Sequence, residues 1–400
     1  MKLLHVIPYY IRATKTGGPA SQLDKLAQSE QKLGHTVTIV SSTGNLDEDI
    51  DLKFTEDYFE AAENGVRTVY LNRDKRILPA TFYYAPKLKK WLIDHVNGYD
   101  IVIIHGVWTW FSWIGPKICQ KQKVPYLYFP HGCFDPWAFN RHKIKKYPYW
   151  KLIEKPNIQR AAGGIVLSDD EADQVRTVGI TCPLFKAQNG LLFPLLQADD
   201  PEAVLNALLP ERKDRPFVFF MARLHPKKGP AILLEAWCQC ASQFPEWQLI
   251  LAGPDEGGYL STLQEMVKAN NLEENVFFPG LVRGAFKAAL LQKASIFVLP
   301  SYSEGVPGAV IEALGYGTPV LITPGCHLPE VADSEAGIIV EPEPQAIAGA
   351  LQTLMADKNL RTKMGANAKN LAHSRFDELK VAERLIEFCK VLLKKLRKEA

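Results

Sequence analysis

Apolar and polar positions alternate along this chain in two rhythms. Short apolar runs at residues 3–7, 37–40, 67–71, 101–104, 125–129, 164–167 and 184–187 read as buried strands. Segments of helical period lie between them. One runs from Gly17-Gly18-Pro19 to about residue 33, where Gly34 stops it; others cover 79–96 and 151–160. Ser168 suits a further N-cap, with Glu171 completing a capping box, and Asn189-Gly190 is a turn signal. The rhythm breaks over residues 191–215, which hold Pro194, Pro201, Pro210 and a charged cluster, so a domain linker is expected there. It resumes with strands expected at 217–221, 247–252, 276–278, 296–299, 320–322 and 337–340. Strands alternating with helices predict doubly wound parallel sheets, here in two domains covering 1–190 and 216–375. Residues 376–400 hold an amphipathic helix expected to return to the first domain. Two such halves place a ligand cleft at the carboxyl ends of both sheets.

Size and composition narrow the picture. Four hundred residues exceed one core, which favours two domains of roughly 150–200 residues each. A net charge of +3 is too small to imply nucleic acid as a partner. Seven cysteines, odd in number and without a C-x-x-C pair, favour reduced thiols in a cytoplasmic chain. The N-terminal apolar run is short for a signal peptide, and no run reaches the ~18 apolar residues of a membrane span.

Candidate chemistry concentrates in residues 301–323, S-Y-S-E-G-V-P-G-A-V-I-E-A-L-G-Y-G-T-P-V-L-I-T. A strand, a loop with Gly305, Pro307 and Gly308, and a helix start follow one another. Free amides and the helix dipole there attract phosphate. Glu304 and Glu312, eight residues apart, suit hydroxyl donors and not phosphate, because like charges repel. Amides for phosphate beside acids for hydroxyls describe a nucleotide sugar; a solvated Glu304 and a dipole-complementing Glu312 are the plainer alternative. A second element, M-A-R-L-H-P-K-K-G over residues 221–229, sets Arg223 at a strand end and Lys228 at the next helix start. Two cations so placed can clamp a diphosphate.

With these elements and Asn189-Gly190, the chain resembles retaining glycosyltransferases of family 4, which have the GT-B fold of two Rossmann-like domains. The resemblance covers nearly the whole length. It implies that Arg223 and Lys228 hold the donor pyrophosphate, Glu312 the ribose hydroxyls and Glu304 the sugar hydroxyls. Val306, Gly308 and Ala309 would present backbone amides to sugar and phosphate. Leu281 and Val282, after Gly280, would read the base, and Gly253 would be a close-approach glycine. Residues 130–137, P-H-G-C-F-D-P-W, resemble a stretch of bacterial exopolysaccharide transferases. That likeness implies that His131 contacts the donor sugar. Gly17 and Gly18 match a glycine loop approached by acceptor and phosphate; a plain tight turn is the alternative.

No convincing nucleophile appears; Asp135 qualifies by position only. Front-face substitution through an oxocarbenium-like state is therefore expected, with the diphosphate taking the acceptor proton. No cofactor and no metal ion are expected, because nothing resembles a D-x-D metal pair. UDP-glucose is the expected donor, from family frequency, with GDP-mannose or UDP-GlcNAc as alternatives, and the acceptor is expected to be a saccharide or lipid-linked saccharide of envelope polysaccharide synthesis. A UDP-sugar 2-epimerase is the rival activity. Residues 137–155 interleave bases with aromatics, which suits an anionic membrane surface or a solvated helix face. A cytoplasmic location, with or without peripheral contact at the inner membrane face, follows as the expectation.

Overall fold

A computed structural model describes residues 1–12, 18–44, 58–74, 76, 77, 79–134, 147–212 and 214–399. Gly17, Asp135 and the first part of the basic aromatic segment, residues 137–146, lie outside the described residues. The chain folds as two α/β units, Met1–Gly190 with Glu378–Ala400, and Leu191–Asp377.

The first unit opens β1 (Lys2–Val6), α1 (Gly18–Lys32), β2 (Thr36–Ser42), β3 (Tyr58–Glu63), β4 (Val66–Leu71), α2 (Leu88–His95), β5 (Ile101–His105), α3 (Trp110–Gln122) and β6 (Tyr126–Phe129). It continues through a π turn (Trp150–Glu154), α4 (Lys155–Gln159), β7 (Gly163–Val166), α5 (Asp169–Thr177) and β8 (Leu184–Lys186). The sheet order is β3-β4-β2-β1-β5-β6-β7-β8, parallel except for β3 against β4. The order reverses between β1 and β5, which pair directly with His5 opposite Ile103.

Two expectations need correction here. The helix anticipated over 79–96 survives only as a 3-10 turn, Ala80–Phe82, and as α2. Pro86 lies between them, and proline drives the preceding residue out of the helical region; Tyr83 has already turned left-handed, at φ 53°. Ser168 does cap α5, accepting from the Glu171 N–H, but the capping box does not form. The Glu171 carboxylate takes the N–H groups of Leu167 (2.6 Å) and Gly132 (2.5 Å) instead. Strand β3 was not anticipated, although Asn64-Gly65 joins it to β4 with both residues at positive φ, the usual chemistry of a tight hairpin.

The second unit contains α6 (Pro201–Leu208), β9 (Phe217–Met221), α7 (Pro230–Cys240), β10 (Gln248–Ala252), α8 (Tyr259–Ala269), β11 (Val276–Gly280), α9 (Gly284–Lys293) and β12 (Ile296–Leu299). Then come α10 (Gly308–Tyr316), β13 (Val320–Ile322), α11 (Glu330–Asp333), β14 (Gly337–Ile339), α12 (Pro344–Ala356) and α13 (Lys358–Arg375). Its sheet order, β11-β10-β9-β12-β13-β14, is parallel throughout and is the dinucleotide-fold order with the switch point between β9 and β12. All six strands are mostly apolar, as two covered faces require.

Residues 191–215 are not a linker but part of this second unit. Asp200 caps α6, Leu205 is fully buried, and α6 packs on α9. From the charged cluster Arg212, only 2% exposed, turns inward, where it finds Glu202, the Asp214 carboxylate and the Arg215 carbonyl. The last helix, α14 (Glu378–Glu399), packs on α1 of the first unit. All seven cysteines are free thiols. Among the described residues no helix is long and apolar enough to cross a membrane.

Candidate active site

In the second unit the candidate residues collect at the carboxyl ends of β9, β10, β11 and β12. Beyond β9 the chain makes a 3-10 turn, Pro226–Lys228, capped by His225, whose Nδ1 accepts from the Lys227 N–H at 3.0 Å. Gly229 then passes so near the β12 exit that a Cβ would lie 2.1 Å from the Pro300 oxygen. The loop after β12 is laced to this turn. Tyr302 N–H (2.9 Å) and Ser301 Oγ (3.1 Å) both donate to the Lys227 carbonyl, and Glu304 N–H donates to Gly325 O at 2.8 Å. Two loops far apart in sequence thus share one backbone frame.

That frame aims Lys228 and Glu304 at each other. Lys228 Nζ and Glu304 Oε2 are 2.6 Å apart, with side chains 13% and 11% exposed. A half-buried pair this close is stronger than an exposed one and holds both groups in place. Arg223 pairs elsewhere, with Glu256 at 2.5 Å, and both are largely exposed. Glu312 stands in the second turn of α10 and takes Lys287, whose Nζ lies 3.1 Å from each carboxylate oxygen. The structure therefore brings Lys228 and Glu304 together, while Arg223 and Glu312 each have their own partner. Glu256 and Lys287 were missed in the sequence, since pairs 33 and 25 residues apart leave no local signal.

Helix α10 begins four residues beyond Glu304. Gly308 is exposed and Ala309 half-buried at the first positions of α10, Pro307 precedes them, and Val306 is buried beneath. The first amides of a helix have no intrahelical acceptor, so this end suits an anion. Gly253, after β10, has φ 152°, and a Cβ there would be 1.7 Å from the Ala222 oxygen. Leu281 is exposed and Val282 buried just past β11.

In the first unit, Gly18 opens α1. His131, two residues beyond β6, sits at φ 55° and stacks on Phe129 with ring centroids 3.8 Å apart. The Glu171 bond to Gly132 N–H holds this turn. Burial drives the His131 imidazole down to about 3, so it stays neutral. Its Nε2 meets His105 Nδ1 at 2.8 Å; His105 Nε2 meets His5 Nδ1 at 2.9 Å; His5 Nε2 meets Glu30 Oε2 at 2.9 Å. A cavity of about 200 Å³ adjoins them, lined among others by Tyr9, Thr81, Tyr83, Thr109 and His131. Burial pushes the Tyr9 hydroxyl up to about 12, so it remains a hydrogen-bond donor.

Beside it lies an acidic core group that sequence reading passed over. The π turn carries Glu154 inward, where Ser112 Oγ (2.6 Å), Tyr128 OH (2.5 Å) and Trp108 N–H (2.7 Å) all donate to it. Burial raises its carboxyl despite these donors. From the basic aromatic segment, Trp150 is buried against Phe134 and Trp108, whereas Tyr147 and Leu152 are exposed.

The chain and its fold have known counterparts. The family described as Glycosyl transferases group 1 matches residues 206–371, and the Glycosyl transferase 4-like domain matches residues 17–183, so the two together span most of the chain. The chain belongs to the family 4 type of glycosyltransferases, and its two parallel-sheet Rossmann-like units are the α/β architecture of the GT-B fold. A D-inositol 3-phosphate glycosyltransferase of Streptomyces avermitilis is 32% identical over 309 residues, covering 70% of this chain and 63% of that protein. An alpha-D-kanosaminyltransferase of Streptomyces kanamyceticus is 24% identical over 235 residues, covering 57% of this chain; the chain spans 60% of that relative's length. The Anabaena protein HepE, solved in complex with UDP-glucose, shares the fold at a TM-score of 0.74 with 18% identity, covering 98% of this chain and 100% of that one.

Proposed function

We propose that this glycosyltransferase moves a hexose from a UDP-sugar, UDP-glucose first, to a saccharide or lipid-linked saccharide with retention at the anomeric carbon. The observation that carries the reading is the Lys228–Glu304 pair set beside the α10 N-terminus at the switch point of the second sheet. Lys228, with Arg223, would neutralise the diphosphate as it leaves, and the free amides at Gly308 and Ala309 would take its oxygens. Glu304 would accept hydrogen bonds from sugar hydroxyls and Glu312 from the ribose, exchanging their lysines for ligand. Leu281 and Val282 would face the base, and Gly253 and Gly18 would let ligand approach the backbone. His131 would contact a donor sugar. The relative solved with UDP-glucose supports the choice of donor class.

The departing diphosphate would take the acceptor proton, with no protein nucleophile and no metal ion; full turnover in excess EDTA checks the latter. The acceptor is proposed to belong to envelope polysaccharide synthesis, with the exposed Tyr147 and Leu152 as a peripheral contact to anionic lipid at the inner membrane face. A thermal-shift panel of UDP-glucose, UDP-GlcNAc and GDP-mannose tests the donor. UDP-glucose is expected to raise the melting temperature most, because binding stabilises by mass action. Free UDP with α-linked product supports transfer; an isomerised UDP-sugar would mean the epimerase.

A further inference from the structure

Three histidines and a glutamate from four separate elements form one unbroken string. Glu30 comes from α1, His5 from β1, His105 from β5, and His131 from the turn after β6. The links are 2.9, 2.9 and 2.8 Å, and Glu30, His5 and His105 are almost wholly buried. Parallel pairing of β1 with β5 and of β5 with β6 sets the spacing, since the three histidines leave neighbouring strands near the switch point. The string ends at His131 Nδ1, a buried nitrogen with no hydrogen-bond partner among the described residues, on a residue that lines the 200 Å³ cavity.

A neutral imidazole donates once and accepts once, and what one nitrogen meets decides what the other offers. An ionised carboxylate only accepts. His5 Nε2 must then donate to Glu30, leaving His5 Nδ1 to accept from His105 Nε2. His105 Nδ1 in turn accepts from His131 Nε2. Burial lowers both His105 and His131, so neither carries a second proton, and with a singly protonated His5 the polarity runs one way. We propose that Glu30, His5 and His105 are positioning residues that lock His131 in its Nε2–H form, presenting the Nδ1 lone pair to the cavity as the acceptor for a sugar hydroxyl.

Two further observations point to a ligand at that nitrogen. Buried polar atoms are normally paired, and five of the six ring nitrogens here are, which leaves His131 Nδ1 as the exception. His131 also holds a left-handed backbone at φ 55°, a conformation disfavoured for a side-chain-bearing residue and kept by Glu171 through Gly132. A cavity of this size admits one sugar ring and not a whole nucleotide sugar, and Tyr9, Tyr83 and Thr81 are among the residues that line it. This inference rests on the proposed hexosyl transfer and deepens it.

Long-range proton–nitrogen NMR on the ligand-free, ¹⁵N-histidine-labelled full chain tests it without any sugar. His5, His105 and His131 are expected as Nε2–H tautomers, and Glu30→Gln, whose amide both donates and accepts, should leave His131 a mixture of tautomers. In the same variant kcat should fall by about tenfold to a hundredfold, while the KM for the donor stays within about twofold. A wild-type His131 protonated at Nδ1 would overturn the inference, and that measurement needs no variant to fold. So would a Glu30→Gln protein whose histidine signals match the wild type. Wild-type protein with the expected tautomers that releases UDP from no UDP-sugar would instead sink the transfer reading and leave the string intact.

Discussion

At the scale of single residues, the candidate site is a set of charges already in conversation. Lys228 faces Glu304, Arg223 faces Glu256 and Lys287 faces Glu312. Lys228→Ala should therefore act twice. It removes a cation from the proposed leaving group, lowering kcat by about 10²–10³ in a UDP-release assay, and it leaves a half-buried carboxylate unpaired, at about 1–3 kcal/mol in urea unfolding. Arg223→Ala should cost less than about 1 kcal/mol of stability, because its pair is exposed. His131 gives a pH prediction. Its folded value near 3 lies below the ordinary 6.5, so between these the unfolded chain binds a proton that the folded chain refuses. Stability is complete above pH 6.5 and falls as pH drops toward 3. Urea midpoints at pH 7 and 5 should differ, and His131→Asn should shrink that difference by about 1–2 kcal/mol.

At the scale of elements, loops reach their geometry because backbone meets backbone with no room between. Gly253 passes 1.7 Å, measured from a built Cβ, from the Ala222 oxygen at the exit of β9. Gly253→Ala should cost about 3 kcal/mol or more, read as a lower urea midpoint. Gly349 in α12, where a Cβ would meet nothing, is the control; its alanine variant should gain about 0.5–1 kcal/mol. Most strands were legible because apolar runs of four to six residues between turn residues leave little choice. The helix over 79–96 was misread because its periodicity outweighed Pro86. The Ser168 cap was legible and the Glu171 partner was not, since a carboxylate takes whichever N–H groups tertiary folding presents.

At the scale of the whole molecule, the chain returns to its start. Helix α14 covers α1 with Val381, Ala382, Leu385, Ile386 and Cys389, all 3% exposed or less. Burying four such side chains beyond alanine contributes roughly 1.5–3 kcal/mol each, which rivals the ~5–15 kcal/mol stability of a domain. Deleting residues 378–400 should therefore unfold the first unit. Hydrogen exchange should show protection lost from β1, β2 and β5 and kept in β9, β10 and β12; protection retained in β1 would refute the claim.

The order of strands and helices, and with it the two α/β units, was determined by the spacing of apolar runs, because alternation is local and survives any arrangement in space. Lys228 and Glu304 were legible as a cation and an acid bordering strand ends. That they touch was decided only by the pairing of β9 with β12, which brings positions 76 residues apart in the chain to 2.6 Å. The same holds for the string from Glu30 to His131. His131 was legible from its neighbours, but His5 and His105 are unremarkable among theirs, and only parallel strands stacked in register align their nitrogens.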